Sequence, residues 1–520
     1  MAGPGINMSK VHFFPFNLKY DFGKEIAIIT FVYGKSCKMR IISVLAFLFS
    51  ATLVASCQQK QGYEISLNIN GLRDSSVYLA YHFGDKQYIK DTVRLDQAGH
   101  AIFSGLERLP EGIYMIVLPG RHYFEILISD DQHFSASCTY PDYFNTLKFS
   151  GSDENSYFVS YQRSWAGMQK KASAVAGRLQ KSRQNQDSVK LLSAEQRAME
   201  ENMKVYLRQV VKENAPNLLS VLVRSMIPVD MPEQIIPDNT RNRDSLQWVL
   251  RYNFNRDHFF DNIDLGDERI LRTPILYARL KAYFENVLIQ YPDSIISGID
   301  RLLPEINDNY KVFQFVSVFL FNHFRESEIM GHDAVLLKIA DEIYLSGKAD
   351  WVSKEFIDDL KRQSELLRNN LIGMKAHNLV MDTYHNIFVA LYDIEKDFTI
   401  LYFWEPDCGH CIESTPKLKT YYDKARNEGV EIFAVCTTSD KEKWSKYISE
   451  NGLNWINGWD PGRATNFDFY YNVQSTPMVY ILDRSKTIIA KKISVDDIPS
   501  FIDNYRKFFM KDSSGANAAN

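Results

Sequence analysis

The sequence is poor in three things: cysteine, net charge and long apolar runs. Six cysteines in 520 residues are too few for the disulfide-dense scaffold of a small secreted domain. Sixty basic side chains oppose 64 acidic ones, leaving a net charge of −4. No bulk field therefore draws the chain to nucleic acid, and no nucleic-acid partner is expected. No apolar run reaches the roughly 20 residues needed to cross a bilayer core. The rest is of ordinary globular composition, 45% hydrophobic and 24% charged, which excludes wholesale disorder and collagen-like repeats. At this length about three domains are expected.

The N-terminal part reads as an address. KSCKMR is followed by the apolar run Ile41–Val54, small residues and Cys57, the anatomy of a secretory signal. Val54-Ala55-Ser56-Cys57 followed by QQKQG resembles the bacterial lipobox, in which the cysteine carries the lipid. The alternative is simple cleavage after a small residue, with Cys57 incidental. Several acyl chains on one residue hold a protein stably at a membrane, whereas a single chain binds only marginally. Met39 stands just before the apolar run, so translation is expected to begin there, with residues 1–38 a mis-called start. A long N-region containing the apolar patch Ile26–Tyr33 is the rival reading.

Three segments follow the signal region 1–57. Residues 58–150 read as a small all-β domain, a sandwich or barrel. Ile65, Leu67 and Ile69 alternate with polar residues, as do Val77, Leu79 and Tyr81, and this is the period of a half-buried strand. Turn signals recur at Asn70-Gly71, Gly84-Asp85, Ala98-Gly99, Glu111-Gly112 and Pro119-Gly120. His82, His100, His122 and His133 lack metal-ligand spacing. Residues 151–370 read as a helical region, a spacer or recognition scaffold. Val205, Leu207, Val210 and Val211 suggest one apolar face, and Leu218, Leu219, Leu222 and Val223 another. YARLKAYFENVL and VFQFVSVFLFNHF are expected core helices, and Lys170–Arg183 a solvated face. Residues 371–510 alternate between strand and helix patterns, and 511–520 read as a disordered tail.

The chemistry appears in this last segment. Phe398–Trp404 is a continuous apolar run, as a buried strand requires. Cys408-Gly409-His410-Cys411 comes where that strand gives way to a helix holding Leu418, Tyr421, Tyr422 and Ala425. Unpaired backbone N–H groups at a helix start favour a thiolate, and Cys-X-X-Cys spacing lets a second sulfur resolve a mixed disulfide. His410 would add a cation beside the thiolate and raise the reduction potential. Half of a zinc site and a structural disulfide are the competing readings. Zinc usually takes four ligands, and no second cysteine pair exists, so no metal is expected. Thr476-Pro477 opens a further strand, Met478–Leu482, with Lys486–Lys491 as a hairpin partner. Val430–Val435 reads as a parallel strand, Lys441–Ser449 as a helix and Ile498–Phe508 as a closing amphipathic helix.

The FW–CxxC–P arrangement with Thr476-Pro477 resembles the thioredoxin fold, particularly the membrane-tethered TlpA/ResA-like thiol–disulfide oxidoreductases. The resemblance covers about Gly373 to Phe509. KDTVRLDQAGHAIFSG with PEGIYMIVL resembles the uncharacterised β-domain that precedes thioredoxin domains in Gram-negative envelope lipoproteins. The resemblance implies a cis Pro477 against the two sulfurs and a Thr476 backbone that meets an extended substrate. Cys408 and Cys411 would be catalytic, with Gly409, His410, Trp404 and Pro416 tuning them. Two positions depart from the family. Tyr402 stands where many thioredoxins have a buried acid, and Ser414 where the TlpA/ResA group often has glutamate. Glu405, Glu413 or water are the candidates to move the proton instead. The Gly-His dipeptide also resembles that of protein disulfide isomerases, whose couples are more oxidising.

The expectation is a multidomain envelope protein, lipid-anchored at Cys57 and facing the periplasm. It would exchange disulfides with protein substrates and a redox partner protein, with no cofactor beyond the Cys408–Cys411 pair. Its rivals are a thiol peroxidase and a non-enzymatic binding or scaffold lipoprotein with a thioredoxin-like docking domain. The peroxidase signature of proline, threonine and a single cysteine before a helix is absent. Cys138 and Cys436 are expected to be small buried residues without redox work.

Overall fold

The computed structural model describes residues 61–510 except 183, 234, 235, 238, 239, 307 and 308. The signal region with Cys37, Met39 and Cys57, and the tail 511–520, lie outside the described residues. No helix among the described residues is long and apolar enough to cross a membrane.

The first segment forms eight strands: β1 (Tyr63–Asn70), β2 (Ser76–Phe83), β3 (Lys86–Arg94), β4 (His100–Gly105), β5 (Gly112–Val117), β6 (Tyr123–Ile128), β7 (His133–Thr139) and β8 (Lys148–Ser150). They make two four-stranded sheets, ordered β4-β1-β7-β8 and β3-β2-β5-β6. Inward residues of both sheets, among them Ile65, Phe103, Val77 and Ile116, share one core, as a sandwich requires. The alternation expected in β1 is present. In β2 Val77, Leu79 and Tyr81 likewise meet this core, while Ala80 and His82 on the opposite face are also buried, and a bulge places Lys90 as an extra residue in the facing strand β3. Glu111-Gly112 is not a turn; Gly112 opens β5, where a Cβ would stand 2.3 Å from that of Arg272.

The helical segment begins with α1 (Asp153–Lys181), α2 (Gln186–Asn214) and α3 (Leu218–Met226). Leu218, Leu219, Leu222 and Val223 are buried as a set. On α2 the expected face is corrected: Leu207 and Val210 are buried, but Val205 is 54% exposed. Residues two apart on a helix point about 200° apart, so Val205 and Leu207 cannot share a face. α4 (Arg243–Asp257), α5 (Ile275–Ala282), α6 (Pro292–Ile306), α7 (Tyr310–Arg325), α8 (His332–Ile339) and α9 (Lys354–Arg368) follow. Leu280, Phe284, Val316, Leu320 and Phe324 of the two aromatic-rich runs lie in one large core.

Glu154 ties the first two segments together. Its buried carboxylate accepts hydrogen bonds from the Ser129 hydroxyl and from the Leu219 N–H at 2.8 Å, an otherwise unpaired donor in the first turn of α3. Glu154→Ala strands both donors, so a loss of about 1–3 kcal/mol is expected in a urea titration.

The last segment builds a seven-stranded sheet in the order β10-β9-β13-β12-β11-β14-β15. Its strands are β9 (Val380–Thr383), β10 (Phe388–Ala390), β11 (Phe398–Trp404), β12 (Val430–Cys436), β13 (Ile456–Trp459), β14 (Met478–Asp483) and β15 (Ile488–Lys491). β11, β12 and β13 run parallel, and β14 pairs antiparallel with β11. α10 (Gly409–Ala425), α11 (Lys441–Asn451) and α12 (Ile498–Tyr505) pack Leu418, Trp444 and Ile502 into one core of this sheet. The β9–β10 hairpin was not expected from the sequence. Lys491, at the end of β15, reaches into the helical segment. Its ammonium pairs with Asp333 of α8 and donates to the Asn370 carbonyl and side-chain oxygen, each at 2.9 Å.

Candidate active site

β11 is apolar and buried along its whole length, so its end is rigidly placed, and the chain leaves it at Glu405-Pro406-Asp407. Cys408 is the N-cap of α10, and its sulfur accepts the Cys411 N–H at 3.3 Å. The Cys408 thiol lies 3.2 Å from the Thr476 carbonyl, to which it donates, and the Thr476–Pro477 peptide is cis. β11 and β14 are sheet neighbours, which brings these distant segments together. Both cysteines are unbridged thiols.

The pair is asymmetric. Cys408 is half-buried, while Cys411 is 1% exposed. Burial opposes the Cys408 thiolate, but hydrogen bonds from the Cys411 side chain, from Thr476 and from the Cys411 and His410 N–H groups outweigh it. The net effect holds the Cys408 thiol below its ordinary value. For Cys411 burial dominates and, with the neighbouring Cys408 sulfur, pushes the thiol well up. The more accessible Cys408 sulfur is thus the better nucleophile near neutral pH, and the hidden one waits behind it.

The other expected residues surround this pair in different ways. His410 is exposed on the first turn of α10. With Glu413, Lys417, Pro477 and Lys492 it lines a groove of about 660 Å³. A Cβ at Gly409 would meet nothing within 4 Å, so packing does not demand a glycine there. Pro416 lies inside α10, where its missing N–H deprives the Ile412 carbonyl of a helical partner. Trp404 is fully buried and packs on Tyr447, with ring centroids 5.1 Å apart. Glu413 is exposed, and its charge raises the neighbouring Lys417 amine. Cys436 ends β12 opposite Trp404, buried, its thiol pushed up to about 12 mainly by that burial. Cys138 lies in the β-sandwich core, pushed up to about 11 for the same reason.

The two departures from the family pattern turn out to touch each other. The Tyr402 hydroxyl lies 3.2 Å from Ser414 Oγ and 3.0 Å from Thr415 Oγ1. Burial pushes the Tyr402 phenol far up, so it takes no part as an anion at neutral pH. Thr415 was missed in the sequence, because nothing in its spacing links it to Tyr402 until α10 is laid across β11. On the other side of the pair, the Thr476 hydroxyl donates to Glu405 Oε1 at 3.2 Å.

Residues 396–488 match the model of the thioredoxin-like family, and residues 63–158 match a domain of unknown function, DUF4369. The thiol-disulfide oxidoreductase ResA of Bacillus cereus is 25% identical over 122 residues, covering 24% of this chain and 69% of that protein. ResA of Bacillus anthracis is 23% identical over 166 residues, 32% of this chain and 90% of that protein. A solved domain of a possible thiol-disulfide isomerase from Cytophaga hutchinsonii is 36% identical, covering 27% of this chain and 97% of its own, with a TM-score of 0.26. A thioredoxin-like protein from Bacteroides caccae is 19% identical, covering 54% of this chain and 100% of its own, with a TM-score of 0.41. With its cysteine pair at the start of α10 and the family match over the surrounding sheet, the last segment of the chain is a thioredoxin-like domain, similar to the ResA thiol–disulfide oxidoreductases.

Proposed function

We propose that the chain is an envelope thiol–disulfide oxidoreductase, anchored by lipid at Cys57, that exchanges disulfides with proteins outside the cytoplasm through Cys408-Gly409-His410-Cys411. The observation that carries this reading is the asymmetry of the pair: an accessible, acidified Cys408 with a buried Cys411 one helical turn behind it. In the reducing direction the Cys408 thiolate attacks a substrate disulfide, and one substrate sulfur leaves as a thiolate. The Cys411 thiolate then attacks Cys408, the second substrate sulfur leaves, and the pair ends as a disulfide. The Thr476 backbone at Pro477 offers an extended substrate segment its edge. The electron carrier is the cysteine pair itself, so no bound cofactor is invoked, and a redox partner protein restores the pair.

The test is insulin precipitation by the purified chain with dithiothreitol. The chain should accelerate it clearly over dithiothreitol alone; equal rates overturn the reading. Equilibration against glutathione then fixes the direction. A potential near about −270 mV assigns a reductase, and one of roughly −120 to −180 mV an oxidase or isomerase. For the anchor, Cys57→Ser should move the protein from the membrane to the soluble fraction.

A further inference from the structure

Thr476 ends a loop that starts at the short helical turn Phe467–Tyr470. Such a turn leaves its last carbonyls without partners of their own. The Tyr470 carbonyl takes its donor from outside the redox sheet: the Asn370 amide, just beyond α9, donates to it at 3.1 Å. Asn370 is 1% exposed. Its amide also donates to the Leu366 carbonyl of α9 at 2.7 Å, and its two oxygens hold Lys491 of β15. His377 grips the same place a second time. Its ring stacks on that of Tyr470, and its carbonyl accepts the Tyr471 hydroxyl. The chain then turns at Asn472, where φ is 48°, and reaches Gln474, which lines the groove of about 660 Å³ beside Pro477. Gln474 donates to Gln363 Oε1 of α9 at 3.4 Å. The groove wall that leads to Thr476 is therefore backed by the helical segment as well as by the sheet.

We propose that the helical segment is a working part of the redox site: Asn370, helped by Gln363, is a positioning residue that holds the loop 470–476 in the shape against which polypeptide disulfides dock. This rests on the oxidoreductase reading above. An extended polypeptide takes its affinity from main-chain hydrogen bonds and from the surface it lies along, so a displaced loop weakens it. A small disulfide needs little more than the Cys408 sulfur, whose place is set by β11 and the start of α10. Thr476 is also fixed from its far side, where β14 begins at Met478. The loop therefore serves the binding of long chains, while the sheet and α10 serve the chemistry. Losing a contact that holds ground state and transition state alike raises KM and leaves kcat unchanged. In this way the helical segment favours protein disulfides over small ones without touching either sulfur.

The test compares insulin with the small chromogenic disulfide dithiobis(nitrobenzoate), on the chain with Cys37 and Cys57 replaced by serine. Asn370→Asp keeps an acceptor for Lys491 but cannot donate to the Tyr470 carbonyl. It should raise the KM for insulin about 10-fold at unchanged kcat, the worth of one buried hydrogen bond. Gln363→Ala, at an exposed position, should raise it about 2- to 3-fold. With the small disulfide, the first equivalent of released aromatic thiol reports attack by Cys408. Its rate should stay within about 2-fold of the parent in both variants, because no contact to that substrate is lost. The equilibrium of the pair with glutathione should not move. An insulin KM unchanged in both variants overturns the proposal. So does a loss by the same factor with both disulfides, since the variants would then be disturbing the whole site and not the docking of long chains. Should Asn370→Asp not fold, Gln363→Ala decides by the same criterion. Failure of the oxidoreductase reading looks different, because the parent chain itself would then not accelerate insulin reduction.

Discussion

Cys408→Ser is expected to reduce insulin turnover to the rate of dithiothreitol alone. No oxygen can take the place of the sulfur in a disulfide, so the covalent intermediate cannot form. Cys411 cannot take over, because it is buried and its thiol is poorly ionised. Cys411→Ser should behave differently: attack proceeds, resolution does not, and the mixed disulfide accumulates. Mass spectrometry should show an adduct on Cys408 that dithiothreitol removes. At half-buried Cys408 serine should leave folding stability within about 0.5–1 kcal/mol of the parent, whereas at Cys411 it puts a hydroxyl into the core and should cost about 1–3 kcal/mol. Activity retained in Cys408→Ser, with the protein folded, would remove the basis of the cysteine mechanism.

The largest stability effect is expected at the joint between α8 and β15. Asp333→Ala leaves the Lys491 ammonium buried with only the neutral oxygens of Asn370 as partners. Breaking a buried ion pair from one side costs about 3–5 kcal/mol, measurable as a lower urea midpoint. Burial already depresses the Lys491 amine, and the Asp333 charge and hydrogen bond partly oppose that. Removing Asp333 therefore lowers the folded-state value further. The unfolded chain then binds the lysine proton more tightly than the folded one, so the variant should gain stability as pH rises towards the ordinary lysine value of about 10.4. Asp333→Ala combined with Lys491→Met should recover much of the loss, since an apolar side chain of similar length needs no counter-charge. A single variant as stable as the parent at every pH would show that water reaches the lysine.

The catalytic pair and its sheet were readable because their signals are local. An unbroken apolar run, two cysteines three apart and a proline before the next strand each have one physical meaning in that order. β12, α11 and β14 fell close to their expected places for the same reason. What escaped is what depends on elements packing across each other. The Tyr402–Ser414–Thr415 cluster needs α10 laid over β11 at one particular rotation, and each residue alone reads as a departure from a pattern. Val205 falls off its expected face because neighbouring apolar residues read as one stripe, although residues two apart on a helix lie on nearly opposite sides. The β9–β10 hairpin is too short, at four and three residues, to announce itself by alternation.

The bonds made by Lys491 also bear on where this protein can be divided. The change in sequence character near residue 371 invites a cut there to isolate the redox half. Asn370 is fully buried, donating to the Tyr470 carbonyl at 3.1 Å as well as accepting from Lys491. A fragment starting at 371 would thus discard every partner named for that lysine and retain its charge in an opened hollow. The place where the chain changes its pattern is one residue beyond the last point at which it is still fastened, and an expression boundary should be drawn upstream of α8.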